Sequence, residues 1–400
     1  MNKKQWWERD DLNYHNNELQ FANRNIQHIA NQLETPCFIY NSKRIINNLQ
    51  RLKSALNENG FNNKHKIFYA MKANRFTSLL TFLKITNLCG IDACSPAEAD
   101  LAISCGFEAN EISYTGSSLS KADLQSLSMK SGLLMNCDSL HSIDSWGQLK
   151  PNSEIGIRIN PAIGICRTNN EKLQYCGENI TKFGVYREQF EQALQIAKKH
   201  GLKITRLHFH TGCGYLDAEL EQLSNVLKAS HWFIEQLPDL EMINIGGGLG
   251  VPHTETEKSL DLNKWAATIY KNLGQFDITL AVEPGEYIAK DAGLLLLETT
   301  YLEYKKDKLF LGVNAGFNLA PEPAYYDMPF LPVPLNSKGT VQKLSVAGNI
   351  NEALDVWYEN LEFTVSDDMT HIAIINAGAY SSSMSSNHCM RGKFSEYLLF

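Results

Sequence analysis

The chain has 400 residues, 44% of them hydrophobic and 20% charged, the composition of a globular protein long enough for one large core or two domains. A net charge of −7 without any basic block argues against nucleic acid or an anionic membrane surface as a partner. Nine cysteines are scattered with no CxxC pair, which argues against a zinc site and for reduced thiols in a cytoplasm.

The first residues, MNKKQWWERDDLN, carry no apolar segment of a secretory signal, and no apolar run reaches the roughly 20 residues of a membrane span. Residues 1–34 are polar beyond Trp6 and Trp7 and read as a partly helical extension. Thr35 to Tyr40 then reads as a short strand, and Asn41 to Leu56 as an amphipathic helix. A regular rhythm follows. Apolar strands are predicted at Ile67–Met71, Gly90–Cys94, Ile112–Thr115, Leu133–Cys137, Ile155–Ile159, Ile204–His210, Met242–Ile245 and Ile278–Val282. Helical patterns lie between them, as at Ser95–Cys105, Lys121–Ser128, Arg187–His200 and Asp217–Gln236. Eight strands alternating with helices predict an α/β protein whose parallel sheet closes into a (β/α)8 barrel. A doubly wound open sheet is the alternative, but its glycine-rich turn usually follows the first strand; here that turn follows the seventh. The barrel domain is expected over residues 35–296. From residue 297 to 400 strand-like runs such as Leu309–Val313, Leu361–Val365 and His371–Ile375 stand among Pro, Gly and Asn, predicting a β domain or barrel that part of the N-terminal segment joins.

Chemistry in a (β/α)8 barrel sits at the C-terminal ends of the strands. Those ends here carry Lys72, Asp92 through Glu98, Asp138, Arg158 with Asn160, His208 and His210, Gly246–Gly248, and Glu283. Lys72 ends an apolar strand in IFYAMKAN, where desolvation favours the neutral, nucleophilic amine; the plainer readings are a snorkelling side chain or a pair with Asp92 or Glu98. Gly246, Gly247 and Gly248 allow backbone N–H groups to converge on a phosphate, although tight turns use such runs too. Glu283 in a barrel mouth needs a proton or a cation, with Arg158 as one candidate. His210 reads equally as a core histidine. A reactive lysine, an anion cradle, a flat ring and a carboxylate together are the parts that pyridoxal 5'-phosphate requires. A metal is not called for.

YAMKAN, GIDACSPAE, RINPAIG, TKFG, LHFHTG, INIGGGLG, EPG, PAYYD and AGAY occur in this order from Thr35 to the C-terminus. In these motifs the chain resembles the fold-type III pyridoxal-phosphate decarboxylases, the diaminopimelate and ornithine decarboxylase family, and looks more like the diaminopimelate branch. The resemblance implies an alanine racemase-like barrel with a C-terminal β domain, in a homodimer with shared active sites. It makes Lys72 the Schiff-base lysine, sets His210 against the cofactor ring and Glu283 at the pyridine nitrogen. Gly246, Gly247, Gly248 and Tyr380 would hold the phosphate, with Asp92, Glu98 and Arg158 as a supporting shell.

Three departures from the family pattern stand out. Its proton-donating cysteine is replaced by Asn351, while Glu352 and Asp355 beside it are kept; an amide cannot serve as the acid. The arginine of EPGR is Glu286, and the arginine before PALY is Glu322. With Tyr326 and Glu352, these glutamates are expected to line the substrate pocket. Two unpaired glutamates would repel a distal carboxylate, so the expected activity is decarboxylation of an amino acid other than diaminopimelate. The alternatives are a racemase, a decarboxylase of a carrier-bound or siderophore-type amino acid, and a non-catalytic relative that binds a partner decarboxylase.

Overall fold

The computed structural model describes residues 4–167, 170–177 and 179–400. They fall into two compact units.

Residues 48–251 and 258–286 form the first unit. Its eight parallel strands are His65–Ala70, Gly90–Ala93, Ile112–Thr115, Leu134–Cys137, Glu154–Arg158, Lys203–His208, Met242–Asn244 and Thr279–Val282. Each pairs with its sequence neighbour, and the eighth closes on the first, Val282 opposite Ile67. All eight predicted strands are present, within two residues at either end. Closure explains their apolar character: a strand in a parallel barrel has side chains both in the interior and under a helix. Ile91, Ile112, Ile155, Ile157, Leu207, Ile243 and Leu280 are accordingly buried, each contributing on the order of 1.5–3 kcal/mol. Four of the helices are fixed at their first turn by a side-chain cap. Ser95, Ser120, Ser139 and Asp261 each accept a hydrogen bond from a backbone N–H of the first turn of Pro96–Ser104, Lys121–Ser128, Leu140–Leu149 and Leu262–Leu273. Polar residues just past each strand are thereby fixed at one end of the barrel.

Residues 1–47, 252–257 and 287–400 form the second unit. Its sheet runs in the order Leu331–Pro334, His371–Ile375, Gly293–Lys305, Lys308–Val313, Thr340–Ala347, Val356–Val365. Strand Cys37–Asn41 adds antiparallel to Gly293–Lys305, and Ser395–Leu399 adds parallel to Cys37–Asn41. This is a mixed eight-stranded sheet and not a closed barrel. Strand Cys37–Asn41, expected within the barrel domain, belongs to it.

The expectation of partial helix over residues 1–34 is largely overturned. Leu12–His15, Glu18–Phe21 and Arg24–Asn25 form a three-stranded sheet, followed only by the short helix Ile26–Ala30. Leu12, Leu19, Phe21 and Ile26 are buried in one core with Leu294, Leu296, Ala373 and Ile375. No helix among the described residues is long and apolar enough to cross a membrane.

Candidate active site

Lys72 sits in the single 3-10 turn Met71–Ala73 that follows the first barrel strand. Its neighbours Met71 and Ala73 are buried and Lys72 itself is half-buried. The Ala70 N–H donates to Pro284 O at 3.2 Å, holding this turn beside the segment that carries Glu283.

Glu283 is buried and held from three other strands. Its Oε1 accepts from Ser113 Oγ at 3.0 Å and Asn244 Nδ2 at 2.6 Å, while Oε2 lies 2.9 Å from His208 Nε2. Burial pushes this carboxyl up, but the His208 charge and hydrogen bond, the Lys72 charge and Asn244 prevail and hold it down to about 2. The basic side chain bonded to Glu283 is therefore His208. Arg158 instead lies over the Phe183 ring, 4.5 Å from its centre.

Asp92, ending the second strand, is buried, and its Oδ1 has no hydrogen-bond partner among the described residues. Burial and the Glu283 charge raise its carboxyl well above the ordinary range, with Lys72 pulling the other way. Glu98 accepts from the Cys94 N–H at 2.7 Å and so braces the turn after that strand. The His210 ring is 5.0 Å from that of Tyr175, tilted by 38°. Burial, with the Lys72 and Arg158 charges, holds its imidazole well below its ordinary value, leaving a neutral ring.

Gly246 adopts φ +72°, and a Cβ there would come within 2.8 Å of His210; at Gly247 it would meet Glu283 O at 2.2 Å. The glycines are thus required by close chain packing whether or not an anion binds. The Gly246 N–H donates to Asn244 Oδ1 at 3.0 Å. The N–H groups of Gly247 and Gly248 have no acceptor among the described residues, so two of the three expected donors suit a phosphate.

Glu286 is also in the barrel unit. It is buried, accepts from the Val251 N–H at 3.1 Å and lies 3.8 Å from the Arg167 guanidinium. In the second unit, Glu322 is buried against the ammonium of Lys290. Neither glutamate is the unpaired charge expected from the sequence, because Arg167 faces one and Lys290 the other. Tyr326 is half-buried at the end of helix Glu322–Tyr326. Tyr380 has φ +55°.

The remaining expected residues separate into two kinds. Asn351 and Glu352 are exposed, and Glu352 lies 3.3 Å from His388 Nε2. Asp355 is buried and accepts from the N–H groups of Phe317 at 2.7 Å and Ile350 at 2.6 Å. It pins its loop from inside. Ser113, Asn244, Arg167 and Lys290 were not singled out in the sequence, and His208 was noted only as lying at a strand end. Asn244 did leave a signal as a lone polar residue in an apolar stretch (MINI), whereas Ser113 stands beside Tyr114 and Thr115 in ISYT and left none.

A closed (β/α)8 barrel with a lysine, a clamped carboxylate and a glycine turn at its strand ends defines a pyridoxal-phosphate enzyme of the barrel type. Residues 42–290 match the model of the pyridoxal-dependent decarboxylase family, pyridoxal binding domain. The chain is 31% identical over 388 residues to a diaminopimelate decarboxylase of Methanothermobacter thermautotrophicus, covering 93% of this chain and 88% of that one. Among solved structures it resembles Helicobacter pylori diaminopimelate decarboxylase complexed with L-lysine, at 27% identity, TM-score 0.85 and 94% of each chain. A diaminopimelate decarboxylase from M. jannaschii shares the fold, at 22% identity and TM-score 0.88 over 98% of this chain and 93% of that one. The chain belongs to the pyridoxal-dependent decarboxylases, the diaminopimelate and ornithine decarboxylase family. Its cofactor is pyridoxal 5'-phosphate, and the residues fit it: two backbone donors for an anion, a buried carboxylate held ionised, and a lysine whose charge reaches that carboxylate.

Proposed function

We propose that this chain decarboxylates an α-amino acid other than diaminopimelate, one with an amine, a neutral group or a bulky group at its distal end. Bound pyridoxal phosphate supplies an electron sink for the electrons of the broken bond. Lys72 would anchor it covalently, Gly247 and Gly248 would hold its phosphate, and His210 would present a neutral ring face. Glu283 holds the proton of the ring nitrogen, while Asp92, Glu98 and Arg158 support this arrangement. The chain acts in the cytoplasm as a homodimer in which Asn351, Glu352 and the loop pinned by Asp355 complete the partner's site.

The observation that carries the choice of substrate is Glu286, whose carboxylate is already served by the Val251 N–H and Arg167. A carboxylate stands here where the resemblance implies an arginine. A guanidinium engaged with an internal acid has less to offer a substrate carboxylate than an uncommitted one.

The second reading is diaminopimelate decarboxylation itself. It is favoured by the internal pairing of Glu286 and Glu322, which removes the repulsion, and by the name of the relative that is 31% identical. The two readings are separated by kcat/KM for meso-diaminopimelate against lysine, ornithine and larger amide-bearing amino acids. Diaminopimelate as the best substrate would overturn the first reading and establish the second.

A further inference from the structure

The proton inventory around Glu283 assigns a role to a residue outside the expected site, His208. Asn244 Oδ1 accepts from the Gly246 N–H, so its amide is oriented with Nδ2 donating to Glu283 Oε1. Ser113 Oγ accepts from Asn136 Nδ2 at 3.2 Å, so its single proton goes to the same Oε1. Both donors require Oε1 to be an acceptor. A proton on Glu283 would have to sit on Oε2, which faces His208 Nε2 at 2.9 Å. With hydrogen on Nε2, His208 donates there, and all three donors facing Glu283 are satisfied by the carboxylate form. A carboxylate accepts about four hydrogen bonds, and three are taken, leaving one acceptor position on Oε2.

We propose that His208 is a positioning residue: its Nε2–H keeps Glu283 a carboxylate and leaves the fourth acceptor position to the N–H of the cofactor ring. This rests on the cofactor reading above and adds a residue to it. The other titratable groups around the pair are Lys72, Asp92, Cys94 and His210, with Arg158 as a fixed charge. Burial alone would favour a protonated Glu283, so loss of the imidazole donor moves it toward that form. A protonated carboxyl then competes with the ring N–H, and cofactor affinity falls as the pH is lowered.

The test is equilibrium binding of pyridoxal phosphate to the stripped full-length protein, followed by cofactor absorbance between about pH 5.5 and 8.5, for wild type, His208→Gln, His208→Leu and His208→Asn. Gln places an amide N–H near the position of Nε2; Leu removes it, and Asn is too short to reach. The cofactor phosphate and Lys72 titrate in every variant, so the readout is the difference from wild type. H208Q is expected within about threefold of wild type at all pH values. H208L and H208N should bind about tenfold or more weakly, the range of a hydrogen bond to a charged group, with the deficit growing as pH falls. Should H208L not fold, the Gln and Asn pair carries the same contrast. Equal binding by all variants, or equal weakening by Gln and Asn without pH dependence, would overturn the proposal. Failure of the wild type to bind the cofactor would instead overturn the reading on which it rests.

Discussion

Glu322 and Lys290 form an ion pair from which water is excluded on both sides, with Lys290 fully buried and Glu322 5% exposed. The ammonium also donates to Ala379 O at 3.2 Å and lies 4.6 Å from the centre of the Phe330 ring. A lysine with this shell is committed to the β unit. Glu322 is therefore a structural counter-charge in that unit, whatever it also does for a substrate.

Breaking such a pair from one side leaves a buried charge without its partner, which costs about 3–5 kcal/mol. Lys290→Met and Glu322→Leu should each lower the urea midpoint strongly. The double variant Lys290→Met with Glu322→Leu should recover most of that loss, because two apolar side chains need no mutual partner. Denaturation curves of the three variants test this. Additive losses in the double variant would mean that the two side chains contribute independently.

The cofactor anchor is checked by chemistry at Lys72. Borohydride reduction followed by peptide mapping should place the adduct on Lys72, and Lys72→Ala should lose the yellow absorbance while keeping its far-UV spectrum. An adduct on another lysine would remove Lys72 from its role. It would also leave the clamped Glu283 in need of another explanation.

The barrel was legible because closure forces eight strands to be apolar and short, and four of the helices that follow them open on a side-chain cap. Lys72, Asp92, His210 and Glu283 could be picked out as polar residues ending those strands. The first 34 residues misled because their strands are too short to show alternation. Their signal lay in the turns: Asn16 and Asn17, then Ala22 and Asn23, all adopt positive φ, as two-residue hairpin loops require. Asn-Asn between Leu12–His15 and Glu18–Phe21 was a hairpin sign. The partners of Glu286 and Glu322 were not legible at all. Arg167 lies over a hundred positions from Glu286, and nothing in local pattern announces a long-range pair.

Asp92 gives a pH dependence of stability with a definite sign. Its carboxyl is held above its ordinary range in the folded chain by burial and by Glu283, so the folded state binds this proton more tightly than the unfolded state does. That contribution is present in acid and is lost as pH rises through the folded value. Asn cannot ionise, so Asp92→Asn should gain on wild type with rising pH. The gain should reach about 1–3 kcal/mol in alkali, the penalty of an unsatisfied buried group. Thermal melts across the pH range would show a widening gap in Tm; a constant gap would mean that Asp92 is ionised throughout.

The loop carrying Asn351 and Glu352 separates chemistry from support. Asp355 accepts from the Phe317 and Ile350 N–H groups inside the loop, and a Cβ at Gly316 or Gly348 would fall within 2.3 Å and 2.2 Å of its carboxylate. Asp355→Ala should strand two N–H donors and destabilise the second unit by about 2–4 kcal/mol, with any loss of activity following from the collapsed loop. Glu352 is exposed and, among the described residues, its side chain is tied to His388, so Glu352→Ala should leave Tm within about a degree, as surface changes do. Under a site shared between subunits, Glu352→Ala should still lower kcat. Mixing Glu352→Ala with Lys72→Ala chains should then restore activity, up to about a quarter of the wild-type level at random exchange, since half the dimers are hybrids and each holds one intact site. Restoration fails if both residues serve the site of their own chain. Subunit exchange, followed by mass labels in the same mixture, decides whether an absence of recovery counts against sharing.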